Sequence, residues 1–276
     1  MGTFLPEADH VRRGQAIIGD YAADRVQTIA DRPGNPLGAA VRRIAGGAVA
    51  VRAPPFGEHA FNRAHGFCDE TLAEAEAAAD WYAEKDIVAS FEISPGRPVT
   101  RLLERLHARG YRQTGFHAEF IGPPSLPQAP SPGVQTRPVE TAADLAAFSE
   151  AYHLGWGHAG FRVPLEPWLG VPGWRLYLGL CDGAPAGAAV LSLSGKDAYL
   201  ADGAVDPRFR RRGLHRALLD RRCAEASAAG AEVVFSGAEF LSASYRNMLR
   251  KGLSLLCTKS IWTRRGDSAP EAPADQ

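Results

Sequence analysis

The sequence predicts a mixed α/β chain of two lobes, and three observations predict it. Strand-like and helix-like stretches alternate along the chain, and a proline-rich stretch interrupts the alternation once near the middle. Both sides of that interruption close on the same order of strand, helix, basic residue, glycine and strand. At 276 residues, 45% of them hydrophobic, the chain suffices for one large domain or two ordinary ones and is too apolar to be disordered throughout.

In the first half, 47–53 (GAVAVRA) and 87–93 (IVASFEI) are rich in β-branched residues and read as strands. Between them, 71–85 carries helix formers. Residues 99–109 form a helix with Leu102, Leu103 and Leu106 on one face, stopped by Gly110, and 111–121 is the closing strand. In the second half, 141–153 is an amphipathic helix through Leu145, Ala146 and Phe148. Strands 174–181 and 186–193 form a hairpin through Asp182-Gly183, and 198–205 is a further strand. Residues 213–229 read as a helix, 231–235 as a strand, 242–251 as a helix stopped by Gly252, and 253–262 as the last strand. The two helix stops, Arg109-Gly110-Tyr111 and Lys251-Gly252-Leu253, point to an internal duplication, although helix-glycine-strand is also the commonest α/β punctuation.

The interruption, 122–138, reads GPPSLPQAPSPGVQTRP and holds six prolines, which suits an extended segment and not a core element. It divides the chain into a first domain at 1–122, a linker at 123–135 and a second domain at 136–265. Residues 266–276 (GDSAPEAPADQ) have the same character and read as a disordered tail.

Lys plus Arg and Asp plus Glu both number 31, so no global charge draws the chain to nucleic acid or to an anionic membrane, and any anion site is local. The first ten residues lack the basic and apolar regions of a secretory signal, and no apolar run is long enough to span a bilayer. The four cysteines lie far apart, with no Cys-x-x-Cys pair and no histidine at zinc-finger spacing. A cytoplasmic protein with reduced thiols and no metal is the expectation.

The most informative stretch is 205–219, VDPRFRRRGLHRALL. A strand ends at Val205, Pro207 ends its pairing, arginines follow, and Gly213 opens a helix. A helix N-terminus offers unpaired amides and the positive end of its dipole, glycine lets a phosphate approach the backbone, and arginines add charge-assisted hydrogen bonds. The construction suits a diphosphate. A solvated arginine face and a nucleic-acid patch are the plainer alternatives. Only Phe209 supplies a stacking ring for the second, and the Gly-Lys-Ser/Thr ending of a Walker loop is missing.

This segment resembles the acyl-CoA loop of the GCN5-related N-acetyltransferases, whose Val-x-Pro-x-x-(Arg/Gln)-x-x-Gly-x-(Gly/Ala) pattern is matched by Val205, Pro207, Arg210 and Gly213 and departs at His215. The resemblance covers 136–265 and includes Ser244-Tyr245-Arg246-Asn247 before the last helix stop. The first half looks like a degenerate copy, with Phe61 to Phe67 where the loop belongs and nothing to neutralise a phosphate. For each lobe the resemblance implies a central, mostly antiparallel sheet flanked by helices. The activity it implies is transfer of an acetyl group from acetyl-CoA to the amine of a small molecule, or of a peptide, in a ternary complex. It implies contacts to the co-substrate from Arg210, Arg211, Arg212, Gly213, Leu214, His215, Arg216 and Asn247, and an amide of Ala204 or Val205 as donor to the oxyanion.

The attacking amine must be neutral, so a base or a water chain must take the proton of an ammonium of pKa ~10. Asp202, the only carboxylate inside its strand, and Glu239, after the next strand, are the candidates. Each is also readable as a solvated edge or turn residue. The tyrosine that the family places four residues before the final glycine is Met248 here; Tyr245, three residues earlier, shares its helix face and is either the acid or a core aromatic. The glycine-punctuated stretch with Trp156, His158 and Phe161 corresponds to the family's acceptor wall, or else packs as a hydrophobic loop. Two other readings stay open: a non-catalytic acyl-CoA sensor, which Met248 favours, and an anion or RNA binder using the arginines.

Overall fold

The structure, a computed structural model, describes residues 6–56, 60–125, 129, 131–157 and 162–264. The first half contains α1 (Ala8–Ala30), β1 (Ala40–Arg43), β2 (Val49–Arg52), β3 (Arg63–His65), α2 (Leu72–Ala83), β4 (Ser90–Ile93), α3 (Thr100–Ala108) and β5 (Tyr111–Gly122). The second contains β6 (Val134–Pro138), α4 (Ala142–Trp156), β7 (Trp174–Cys181), β8 (Ala184–Ser194), β9 (Asp197–Val205), α5 (Leu214–Ala228), β10 (Val233–Glu239), α6 (Ala243–Lys251) and β11 (Ser254–Arg264). The α/β alternation is as the sequence predicts. Added to it are α1, β1 and β3, and the end of the proline-rich stretch, which joins the sheet as β6, an edge strand that tolerates Pro138.

All the strands form one mixed sheet in the order β1-β2-β3-β4-β11-β5-β10-β9-β8-β7-β6. The closing strands are exchanged: β11 of the second half lies against β4 of the first, and β5 of the first lies against β10 of the second. They meet each other antiparallel from Ser254 opposite Ile121 to Arg264 opposite Tyr111. Outward from that seam the two sides run alike, with β4 parallel to β3 on one side and β10 parallel to β9 on the other, and every other pairing antiparallel. The lobes expected to carry separate sheets therefore share one.

Local chemistry fits these boundaries. Thr141 and Asp144 form a capping box at the start of α4, with the Thr141 hydroxyl accepting from the Asp144 amide at 3.1 Å. Gly110 and Gly252 end their helices at φ 86° and 91°, a conformation in which a side chain is strained. One face of the sheet buries Tyr21, Val26 and Ile29 of α1 with Phe148 and Tyr152 of α4 and with Trp168 and Trp174. The other buries Leu214 and Leu218 of α5 with Met248 of α6. Gly14 lets α1 lie close on the sheet, since a Cβ there would meet the Phe235 ring at 3.0 Å.

Candidate active site

The parallel strands β9 and β10 pair only from Asp197 opposite Val233 to Leu200 opposite Ser236. Beyond that point β9 stays with β8 as far as Val205, while β10 follows β5 until Glu239 lies opposite His117. The strands part into a wedge, and a cleft of about 1290 Å³ opens there. A bulge in β9, with Asp202 at φ 44°, marks the parting.

The start of α5 faces this wedge. Pro207–Phe209 form a short 3-10 turn, Arg211 and Gly213 take φ 64° and 87°, and the first helical bond runs from the Ala217 amide to the Gly213 carbonyl at 3.1 Å, leaving the preceding amides without intrahelical acceptors. Ala204, Val205 and Leu214 line the cleft with Arg210, Arg211 and Arg216. Arg210 bonds the Val205 and Gly155 carbonyls, both at 3.3 Å, and Arg216 bonds the Ala129 carbonyl at 3.1 Å. Arg208 is taken by Asp206, and Arg212, a predicted phosphate ligand, pairs with Asp182 and is not among the lining residues.

His215 joins the two helices beside the wedge. Asn247 donates through Nδ2 to His215 Nδ1 at 3.2 Å, and the other ring nitrogen meets Ser244 Oγ at 3.4 Å. Arg250 donates to Asn247 Oδ1, which fixes that amide's orientation and assigns the imidazole proton to Nε2. Burial, with Arg222 nearby, lowers the His215 pKa to about 4, so the ring is neutral at physiological pH.

The end of the cleft away from α5 is furnished largely by the first half. Asp202 accepts from Tyr21 Oη at 2.7 Å, from Arg25 at 3.2 Å and from Tyr152 Oη at 3.4 Å. Beyond it Glu92 is paired with Arg63 and Lys259, and Lys259 also meets Glu119 at 3.0 Å. Burial alone would raise the Glu92 pKa, but Lys259 and Arg63 outweigh it and hold the carboxyl well below its ordinary range. His117 lies over Gly237, where a Cβ would stand 2.7 Å from the ring, and burial with Lys259 beside it lowers its pKa to about 3. Glu239, exposed at the mouth, has no ionic partner among the described residues.

Residues 145–245 match the acetyltransferase (GNAT) family. The chain carries a GNAT domain. The match supports an acyltransferase. No curated protein matches it in sequence. Among solved structures the chain is similar to a GCN5-related N-acetyltransferase from Kribbella flavida, at 18% identity over 90% of this chain and 95% of that one, with a TM-score of 0.61. A second, from Sphaerobacter thermophilus, shows 16% identity over 94% and 95%, with a TM-score of 0.59. A tandem GNAT protein from the clavulanic acid biosynthesis pathway shows 14% identity over 96% of both chains, with a TM-score of 0.52. At these identities the likeness is one of fold.

Around the wedge the predicted residues divide. Trp156, at the end of α4, lines the cleft, as do Asp202, Glu239 and Asn247. The Tyr245 ring instead sits between Phe120 and Phe240, with centroids 5.1 and 5.3 Å away, and is not a lining residue, whereas Met248 is. His158 and Phe161 lie outside the described residues. Sequence reasoning missed Tyr21, Arg25, Glu92, His117, Arg222 and Lys259. Among the described residues, no group of three or more His, Cys, Asp or Glu side chains is placed to hold a metal ion, and no helix is long and apolar enough to cross a membrane.

Proposed function

We propose that this acyltransferase moves an acetyl group from acetyl-CoA to the amine of a small-molecule acceptor within one ternary complex. In this reading the second half, from the proline-rich stretch onward, carries the reaction, and the first is a degenerate copy that walls the acceptor end. The observation that carries the reading is the wedge between β9 and β10 opening onto the glycine-started N-terminus of α5. Open amides, a helix dipole and Arg210, Arg211 and Arg216 suit the diphosphate, and the wedge suits an extended thioester arm. The repeated element order and the exchanged closing strands support the duplication.

The acceptor must lose a proton before attack. Asp202 is already engaged by Arg25 and two tyrosines, so Glu239, at the mouth and without an ionic partner among the described residues, takes the proton directly or through water. The amides of β9 at Ala204 and Val205 polarise the thioester carbonyl. A departing thiol of ordinary pKa ~8.5 needs little assistance, and Ser244, tied to His215, stands on the cleft wall to give it. A thiol-release assay with acetyl-CoA against a panel of primary amines tests the reading. Saturable, amine-dependent release of free thiol is expected; no release with any amine, together with no acetyl-CoA binding, overturns it.

A further inference from the structure

Arg222 of α5 is 1% exposed and has no carboxylate partner among the described residues. It donates from Nε to the Leu218 carbonyl at 3.0 Å and from Nη1 to the carbonyls of Val190 and Ala201, at 3.2 and 2.8 Å. Val190 and Ala201 are the register pair next to the β9 bulge, so the guanidinium satisfies carbonyls on both strands where the ladder is disturbed. A neutral donor would satisfy a carbonyl at lower desolvation cost. What a neutral group would not supply is charge, and here the charge has an outlet. Nη2 makes no hydrogen bond among the described residues and lies against Gly203, where a Cβ would stand 3.2 Å from it and 3.7 Å from His215 Nε2. Both Gly203 and Arg222 line the cleft. Burial lowers the Arg222 pKa to about 10, which still leaves the group charged at neutral pH.

We infer that Arg222 is a positioning residue for the acyl thioester: it pins the β9 bulge, and with it the amides that departing β10 leaves without acceptors, and through the gap at Gly203 it sets a fixed positive charge beneath them. Negative charge that develops on the carbonyl oxygen or on the leaving sulfur then meets a preorganised field. The inference rests on acyl-CoA occupying the wedge.

The test compares Arg222→Met, which keeps the length and removes the charge, with Arg222→Lys, which keeps the charge. Acetyl-CoA Kd by calorimetry is expected to stay within about threefold of wild type in both. The kcat of Arg222→Met falls about 100-fold or more, and Arg222→Lys recovers at least tenfold of that loss. A kcat within threefold of wild type in Arg222→Met, equal losses in the two variants, or a loss that follows acetyl-CoA affinity overturns the inference. Should Arg222→Met not fold, Gly203→Ala closes the gap with Arg222 in place, and an unchanged kcat there also overturns it. Wild-type protein that neither binds acetyl-CoA nor releases thiol overturns the reading of the wedge and this inference with it; wild-type turnover with an unaffected Arg222→Met overturns this inference alone.

Discussion

Two helix starts at equivalent places in the two halves have opposite chemistry. After β9, the chain turns through arginines to Gly213 and begins α5 with open amides facing a wedge. After β3, it turns at Gly66 and buries Phe67 and Cys68. Before α2 begins it then places Asp69 and Glu70, with Glu74 in the helix's first turn. The Asp69 carboxylate is spent on the Leu102 amide, at 2.8 Å. One helix start is open, as the proposed diphosphate site requires, and the other is preceded by acids that would repel an anion. Strand-helix order alone therefore does not make a phosphate site; the charge and bulk of the connecting residues decide it.

The halves are nonetheless one structure, and the largest expected effect lies at the seam where their strands exchange. Lys259→Met leaves Glu92 and Glu119 without their shared buried cation, and removing one partner from such a cluster costs about 3–5 kcal/mol. Urea unfolding should show that loss as a single transition; a drop under 1 kcal/mol would mean that the two halves are not tied through this cluster.

Gly213→Asp gives α5 the acidic start of α2. Acetyl-CoA affinity should fall about 100-fold or more, roughly 3 kcal/mol, measured by calorimetry on a variant whose urea midpoint stays near that of wild type. Unchanged affinity would place the diphosphate elsewhere.

Acid should destabilise both sides of the seam. His117 on β5 and His215 on α5 are held neutral, with pKa values of about 3 and about 4. The unfolded chain, with histidine pKa ~6.5, takes up protons that the folded one refuses, so stability falls as pH drops below 6.5 towards those values. Each histidine should cost about 1 kcal/mol between pH 7 and 5.5, and His117→Gln and His215→Gln should each flatten the pH profile. A profile that stays flat in wild type would show that these rings accept protons in the fold.

The remaining effects are smaller. Glu70→Gln relieves one acid near the start of α2; stability should change by roughly 0.3–1 kcal/mol and no second acetyl-CoA should bind. Tyr245→Phe should leave kcat within about twofold, because the ring packs between Phe120 and Phe240 and away from the cleft. A kcat loss of tenfold or more with affinity intact would restore Tyr245 as the acid.

The sequence by itself determined what depends on neighbours along the chain. The arginine-glycine turn into α5, the glycine stops of α3 and α6, and the Asp182-Gly183 hairpin all carry residues whose backbone preferences and hydrogen-bonding groups act within a few positions. The periodic apolar run of α1, through Ile18, Ala22, Val26 and Ile29, is a legible signal of the same kind. Only the tertiary structure decided which strand lies beside which. Pairing β5 with β10 brings His117 over Gly237, folding α1 across the sheet brings Arg25 to Asp202, and packing α5 under β9 brings Arg222 to the bulge. Those meetings join residues roughly 20 to 180 positions apart, where the backbone groups that pair are the same for every residue and no local pattern records the partner.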